Sequence, residues 1–321
     1  MTKEMNDYID KVINADSISA MSALPESFAH LILSDIPYGI GVEDWDVLHE
    51  NLNTAYMGTS PAQIKAGAIF RKRGKPINGW SEADREIPKQ YYDWCSKWAR
   101  EWFRIIKPGG SAIVFAGRRF SHRCIVALED AGFSLRDMFA WMRQRAPHRA
   151  QRVSIIYERR GDLEHSEKWS GWRVGNLRPT FEPVLWFVKP YKIGTTIADN
   201  MIFNGVGAFN EEAFLKYETT PDNVLRSGFQ LGEQGLHPTQ KPIRLMKALI
   251  ELTTQENQII LDPFCGSGTT LLAAKQTRRH FIGFEINKDY VQMANGRLRN
   301  EAQLEIPGEI MNERGFLSLA K

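Results

Sequence analysis

Three acidic residues stand at the ends of short apolar segments and are the first candidates for chemistry. Asp35 closes "LILSD", Asp262 closes "QIILD" and Glu285 closes "HFIGFE". Short apolar runs that end at an acid are typical of buried strands in α/β folds, in which ligands bind beyond the carboxyl ends of the strands. We therefore expect these carboxylates to face a ligand cleft at one edge of a sheet.

A glycine-containing turn follows the second of these strands. In "DPFCGSGTT", Gly266 and Gly268 let the backbone approach a ligand closely, and Thr269 opens the next predicted helix. Glu285 follows after about 20 residues, an interval over which an acid commonly meets ribose hydroxyls. The turn is not followed by GKT or GKS, and it lacks a complete G-x-G-x-x-G. A nucleoside with a small charged group therefore fits better than one with a pyrophosphate.

A second turn, "SDIPYG", follows the first strand. Taken alone, "SDIPYG" is compatible with a plain turn, and the glycine motif is compatible with a purely structural turn between a strand and a helix. The two motifs gain meaning together. If their strands lie side by side where the strand order reverses, Asp35 and Tyr38 face the glycine turn across a narrow cleft.

Six apolar segments alternate with helical patterns, which indicates an α/β fold with a largely parallel sheet. The predicted strands are 31–34, 111–115, 138–142, 184–188, 258–261 and 280–284. A helix before "KPGG" carries one apolar stripe at spacings of three and four residues, and Pro242 opens another helix. The stripe consists of Tyr91, Trp94, Cys95, Trp98, Trp102 and Ile105.

Two segments interrupt this alternation. Residues 43–88 form a long polar stretch, for which a mobile lid and partial disorder are both open alternatives. Residues 191–236 form a small irregular module before the Pro242 helix.

The composition is that of a soluble globular protein, with 43% hydrophobic and 25% charged residues among 321. The amino terminus has no apolar core of a signal peptide, and no apolar run reaches the roughly 20 residues of a membrane span. Three scattered cysteines are too few for a disulfide framework or a metal cage. We expect a cytoplasmic protein without a membrane or a metal site.

The net charge of +3 does not by itself indicate nucleic acid, but the distribution of charge is uneven. Residues 143–160 carry six arginines and one acid, and "RKRGK" at 71–75 adds a second basic cluster. Such clusters attract phosphates, although a single charge run is also compatible with a solvated face.

The ordered motifs "SDIPYG", "KPGGSAIVFAG", "FEPVLWFVK", "HPTQKP", "DPFCGSGTT" and "FIGFEINKDYVQMANGRL" resemble the beta group of S-adenosylmethionine-dependent DNA amino-methyltransferases. In that group the catalytic motif precedes the cofactor motif. The resemblance covers most of the chain. It implies a Rossmann-like methyltransferase fold with a mostly parallel seven-stranded sheet, and it implies S-adenosylmethionine as cofactor.

The resemblance also implies the chemistry of the "SDIPY" turn. Asp35 and the main-chain carbonyl of Ile36 accept the two hydrogens of the exocyclic amine, Pro37 shapes the turn, and Tyr38 stacks on a base extruded from duplex DNA. The family usually has proline where this chain has Ile36, which puts the turn geometry and the rate in doubt. An acid at position 35 favours adenine over cytosine, although Ser34 leaves cytosine open.

The cofactor-binding residues are carried over in the same way. Glu285 is expected at the ribose hydroxyls with Asn287 beside it, Thr239 and Lys241 at the methionine carboxylate, and Asp16 near the adenine ring. The methionine end is expected near Asp35, Asp262, Phe264, Gly266, Ser267, Gly268 and Thr269.

The resemblance divides the chain into functional parts. Residues 1–190 form the catalytic half, 191–236 the target-recognition region, 237–300 the cofactor-binding half and 301–321 a tail. Phosphate contacts are expected from Arg143, Arg145, Arg149 and Arg152, which set the register on DNA without reading sequence.

The expected partner is double-stranded DNA, in the context of restriction and modification, with a cognate restriction endonuclease and a homodimer left open. Three alternatives compete: methylation of the cytosine amine; RNA or a protein amide as substrate; and a DNA-binding protein that lost catalysis through the change at Ile36.

Overall fold

The computed structural model of the chain describes residues 7–39, 82–143, 150–230, 233 and 240–300. Several predictions therefore fall outside the described residues. They concern most of the polar segment at 43–88, the tail at 301–321, and the residues Arg145, Arg149 and Thr239.

Ten strands form in the described residues, and all six predicted strands are among them. The strands are β1 (Lys11–Asn14), β2 (Ala29–Asp35), β3 (Ile106–Phe115), β4 (Ser134–Met142), β5 (Gln151–Arg152), β6 (Arg173–Val174), β7 (Phe181–Val188), β8 (Val224–Leu225), β9 (Ile259–Asp262) and β10 (His280–Glu285). Four of the six strands begin two to five residues earlier than predicted. In β3 the added residues include "KPGG", which forms an irregularity in the pairing with β2 between the Ala29–Ile106 and Leu31–Ser111 pairs.

The main sheet has eight strands in the order β1-β10-β9-β2-β3-β7-β4-β8. The prediction of seven strands was therefore wrong by one. β8 has two residues and β1 has four residues at an exposed edge, so neither leaves a clear apolar pattern. Strands β1, β10, β9, β2 and β3 run parallel, and β7 is antiparallel to both β3 and β4.

The helices of the described residues cover both faces of this sheet. They are α1 (Ser17–Met21), α2 (Glu82–Ile105), α3 (Ser121–Asp130), α4 (Val153–Glu158), α5 (Leu163–Lys168), α6 (Ile197–Asn204), α7 (Glu211–Phe214), α8 (Ile243–Thr253), α9 (Thr269–Gln276) and α10 (Lys288–Arg299). Within the described parts of the chain, no helix is long and apolar enough to cross a membrane.

Alternating strand residues build a core on each face of the sheet. On one face, Ile32 and Leu261 pack in the cluster that contains the apolar stripe of α2, in which Trp98 and Trp102 are fully buried. On the other face, Leu33 belongs to the cluster formed with α8 and α9. The predicted stripe is confirmed as core except for Trp94, which is half-buried.

The direction of the strands decides which segments can reach a ligand. β2, β3, β4, β9 and β10 all end at one edge of the sheet, which we call the carboxyl edge. Because β7 runs in the opposite direction, the end of β4 at Met142 and the start of β7 at Phe181 both lie at the carboxyl edge. The chain after β7 instead emerges at the opposite edge.

Candidate active site at the carboxyl edge of the sheet

The carboxyl edge carries a cleft of about 280 Å³. Twelve of the predicted site residues line it, namely Asp16, Asp35, Ile36, Pro37, Tyr38, Lys241, Asp262, Phe264, Gly266, Ser267, Thr269 and Glu285. Residues that lie more than 200 positions apart in the chain therefore share one cleft, because β2 pairs directly with β9. Gly268 directly precedes α9, and Asn287 directly precedes α10.

Asp35 ends β2 and binds two side chains with its two carboxylate oxygens. Its Oδ2 accepts a hydrogen bond from Lys241 Nζ at 2.6 Å, and its Oδ1 accepts one from the Tyr38 hydroxyl at 2.9 Å. Burial raises the pKa of Asp35, while the charge and the hydrogen bond of Lys241 oppose this rise. The lysine therefore favours the ionised carboxylate in a poorly solvated place.

Lys241 is only 4% exposed and lies at the centre of a polar cluster. Its Nζ also donates to the Tyr38 hydroxyl at 3.1 Å and lies 3.6 Å from Glu182 Oε2. The rings of Tyr38, Phe115 and Trp141 surround the ammonium group at 5.1 to 5.8 Å. In this structure the ammonium group thus contacts the "SDIPY" turn, and its predicted contact with a methionine carboxylate stays a prediction.

The "IPY" residues are held by three different neighbours. The Ile36 side chain is 1% exposed and packs in the core, and the Pro37 carbonyl accepts a hydrogen bond from the Tyr91 hydroxyl at 2.8 Å. Tyr38 passes so close to Gly117 that a Cβ there would lie 2.9 Å from the Tyr38 Cβ. Burial, Asp35 and Glu182 raise the pKa of Tyr38 well above its ordinary value, so its hydroxyl is protonated at neutral pH.

Asp262 ends β9 and is almost fully buried. Its Oδ1 accepts hydrogen bonds from the Ser34 hydroxyl at 2.7 Å and from the Phe264 N–H at 3.2 Å. Burial raises the pKa of this carboxyl to about 6, although its hydrogen bonds with Thr270 and Ser34 act in the opposite direction. The carboxylate is therefore ionised at neutral pH and protonated in mild acid.

Glu285 is connected to the glycine turn by direct hydrogen bonds. Its Oε2 accepts from the Gly266 N–H at 2.9 Å, and its Oε1 accepts from the Asn287 N–H at 2.7 Å. Burial raises the pKa of this carboxyl, and the backbone donors act against the rise. The two backbone bonds hold Glu285 at the cleft wall.

A side chain of α10 stabilises the predicted glycine turn. One Arg297 nitrogen donates to the Ser267 carbonyl at 2.7 Å and lies 3.0 Å from Thr269 Oγ1. Gly266 has a φ of +50°, and a Cβ at this residue would meet no atom within 4 Å. The turn therefore leaves open space beside the backbone, as a ligand cradle requires.

The remaining predicted cofactor residues lie at the sides of the cleft. Asp16 accepts a hydrogen bond from the Ser19 N–H at 2.9 Å as the first residue before α1. The Phe264 ring lies 5.6 Å from the Trp94 ring, and both rings line the cleft. Together they provide an apolar part of the cleft lining.

The predicted DNA-binding arginines are placed in two environments. Arg143 follows β4 and forms an ion pair with Glu182 at 3.0 Å, so this arginine is connected to the polar cluster around Lys241. Arg152 is exposed on β5.

Sequence reasoning missed four contributors to this site. Glu182 contacts Tyr38 and Lys241, Ser34 supports Asp262, Arg297 supports the glycine turn, and Trp94 lines the cleft. An acid near the start of an apolar strand, as in "FEPVLWFVK", is a usable signal for Glu182. The other three residues match ordinary core or surface positions, and their roles follow from pairing between distant segments.

Sequence comparison identifies the family of the chain. Residues 29–296 match the model of the N6_N4_Mtase family, described as DNA methylase. The chain is 52% identical over 295 residues to "Type II methyltransferase M.HindIII" of Haemophilus influenzae, covering 90% of this chain and 95% of the relative. "Type II methyltransferase M.HpaI" of Haemophilus parainfluenzae is 26% identical, with 91% of this chain and 74% of the relative covered.

Structure comparison confirms the predicted fold. The complex of M1.HpyAVI with SAM superposes with a TM-score of 0.52 at 22% identity and covers 90% of this chain and 98% of that one. The cytosine-N4-specific PvuII DNA methyltransferase superposes with a TM-score of 0.57 at 17% identity, covering 89% and 85%. The family match over residues 29–296 and the relative of 52% identity show that this chain belongs to the DNA methylase family.

Proposed function

We propose that the protein transfers a methyl group from S-adenosylmethionine to the exocyclic amine of an adenine extruded from double-stranded DNA. The observation that carries this proposal is the shared cleft, in which Asp35 of the catalytic turn faces the glycine turn bonded to Glu285.

The residues of the cleft have the donor and acceptor chemistry that this cofactor needs. Glu285 offers carboxylate oxygens to ribose hydroxyls, and the open space at Gly266 admits the cofactor close to the backbone. Asp262 offers a negative charge near the cationic methionine end. When bound, S-adenosylmethionine supplies an electrophilic methyl group on a sulfonium centre.

Asp35 and Ile36 activate the target amine. The lone pair of an exocyclic amine is drawn into the base ring, so the amine is a poor nucleophile. Asp35 accepts one amine hydrogen and the Ile36 carbonyl accepts the other, which favours a pyramidal nitrogen with an available lone pair. Positioning and electrostatics thus carry the reaction, and no covalent enzyme intermediate is required.

The target base must displace one hydrogen bond of the polar cluster around Lys241. The Tyr38 hydroxyl occupies Asp35 Oδ1, which is one of the atoms that can accept an amine hydrogen. Tyr38 therefore exchanges this bond for stacking on the base, and Glu182 and Lys241 remain as polar neighbours of its hydroxyl. Lys241 keeps its bond to Oδ2 and so maintains the charge of Asp35 during the step.

The position of Ser34 favours adenine over cytosine as the target. Ser34 is fully buried, and its hydroxyl donates to Asp262 inside the sheet. It is therefore not available to replace Asp35 as the acceptor of an amine hydrogen. Methylation of the cytosine amine is the alternative that the experiment below separates.

The decisive experiment incubates the purified protein with methyl-labelled S-adenosylmethionine and unmethylated double-stranded DNA, followed by nucleoside chromatography. We expect label in N6-methyldeoxyadenosine. Label in N4-methyldeoxycytidine supports the cytosine alternative, and label only in RNA or protein refutes a DNA substrate. DNA binding without label supports the alternative of lost catalysis. A restriction endonuclease partner and a homodimer stay predictions.

A further inference from the structure

We propose that residues 150–180, which we call the carboxyl-edge module, contact the DNA duplex beside the target base and read its sequence. This inference rests on the proposed function and deepens it. It moves target recognition away from the start of the predicted region at 191–236.

The last residue of the carboxyl-edge module lies next to the end of β4, close to the "SDIPY" turn. The Arg143 N–H, directly after β4, donates to the Thr180 carbonyl at 2.8 Å, and β7 then begins at Phe181. Arg143 pairs with Glu182 at 3.0 Å, and Glu182 lies 3.3 Å from the Tyr38 hydroxyl. A duplex that delivers a base to Tyr38 therefore approaches the side of the sheet from which this module emerges.

The module contains structure but no buried residue. It consists of the β5–β6 ribbon with α4 and α5, and the Tyr157 and His165 rings stack at 5.2 Å. Trp172 is 62% exposed and Leu177 is 88% exposed. An ordered segment that leaves large apolar side chains in solvent is typical of a surface that a partner covers.

The exposed basic residues of the module favour DNA as that partner. Between 150 and 180 the chain carries six basic residues against four acids, and all six basic residues are exposed. The basic residues are Arg152, Arg159, Arg160, Lys168, Arg173 and Arg178. Guanidinium groups suit phosphates and the edge of guanine, and exposed aromatic and aliphatic side chains suit base faces and the thymine methyl group.

The first part of the segment after β7, up to Asn210, lies at the wrong edge for this task, whereas β8 returns along β4 toward the carboxyl edge. The Asn200 side chain of α6 donates to the Pro108 carbonyl near the start of β3, and the Asn210 N–H donates to the Leu252 carbonyl near the end of α8. The seven residues of β2 separate the two edges by roughly 20 Å at about 3.3 Å per residue. Exposed residues of α6 such as Phe203 therefore lie at the edge of the sheet opposite Tyr38.

The opposite edge supplies a matched control for the experiment. Ile193 is 97% exposed and Phe203 is 78% exposed, so both are apolar surface residues outside the carboxyl-edge module. The full-length protein is made with Trp172→Ala plus Leu177→Ala, with Leu177→Ala alone, and with Ile193→Ala plus Phe203→Ala. Thermal unfolding and S-adenosylmethionine binding verify the fold of each variant.

Methyl transfer is then measured on unmethylated plasmid DNA whose target sites have been mapped with the wild type. We expect the double variant of the module to lose on the order of 10- to 100-fold in kcat/KM. Leu177→Ala alone is expected to lose less, and the opposite-edge pair to stay within about twofold of wild type. Cofactor affinity is expected to be unchanged in all three variants.

Module variants that methylate like wild type would overturn this inference, as would a loss confined to the opposite-edge pair. Sedimentation distinguishes binding of DNA by the module from binding of a second copy of the chain. If the module binds another copy, its substitutions change the measured molecular mass and leave duplex binding intact. If the wild type transfers no methyl group, the proposed function is refuted but the inference about the module is not. Duplex binding by the same variants then tests whether the module contacts DNA.

Discussion

Lys241 Nζ lies 2.6 Å from Asp35 Oδ2, although 206 positions separate the two residues in the chain. This contact joins "HPTQKP" to "SDIPY" and places an ammonium group beside the carboxylate that we propose as the acceptor of an amine hydrogen. It gives "HPTQKP" a connection to the chemistry itself, in addition to the cofactor role that the sequence predicts.

Lys241→Gln is expected to move the acidic limb of the pH–rate profile to higher pH. Transfer needs ionised Asp35, so the rate rises as the pH passes the pKa of Asp35. Burial raises this pKa and Lys241 opposes the rise, so loss of the lysine raises the pKa further. Steady-state rates from pH 5 to pH 9 check this, with Lys241→Arg as the charge-retaining control. An acidic limb that stays in place in the glutamine variant contradicts this role for Lys241.

Substitutions of Tyr38 separate its ring from its hydroxyl. Tyr38→Ala is expected to lower kcat/KM by about 5- to 150-fold, since stacking of a base on an aromatic ring contributes ~1 to 3 kcal/mol. Tyr38→Phe keeps the ring and removes the hydroxyl bond to Asp35, so it is expected to retain most of the activity. Single-turnover rates check both variants. Equal losses in the two would show that the hydroxyl, and not the ring, carries the effect.

The affinity for S-adenosylmethionine is expected to increase as the pH rises from about 5 to about 7. Burial raises the pKa of Asp262 to about 6, and a cationic ligand beside it favours the ionised form. Binding in mild acid must therefore release a proton, which weakens it below that pKa by up to about tenfold.

The matched variant is Asp262→Asn, which keeps a side-chain oxygen for Ser34 and Phe264 but does not titrate. Calorimetric titration in buffers of different ionisation enthalpy counts the released protons. We expect the variant to bind with a flatter pH dependence, while Glu285, whose pKa burial also raises, contributes the remainder. An unchanged pH dependence in the variant would assign the released proton to another group.

Local patterns in the sequence predict the parts of the site that lie in single motifs. Asp35, Asp262 and Glu285 each end an apolar strand, so their presence at one edge follows from the parallel β2, β9 and β10. For these carboxylates to meet at one ligand cleft, the strands need only this common direction and a point at which the strand order reverses.

The direction of β7 is the feature that the sequence does not reveal. "FEPVLWFV" is a buried apolar run, and such a run has the same pattern in either direction. Its antiparallel pairing brings Glu182 to the catalytic cluster and sends the following residues to the opposite edge. This one reversal explains why Glu182 is not predicted from the sequence, while target recognition by residues 191–236 stays a prediction.

The most direct test of the account is the Asp35→Ala variant. Methyl transfer to duplex DNA and equilibrium binding of S-adenosylmethionine are measured on the same preparation, with thermal unfolding as the control for folding. Loss of the carboxylate that accepts an amine hydrogen is expected to lower transfer on the order of 1,000-fold, while cofactor binding largely survives. Transfer at the wild-type rate in this variant would contradict the central role of Asp35.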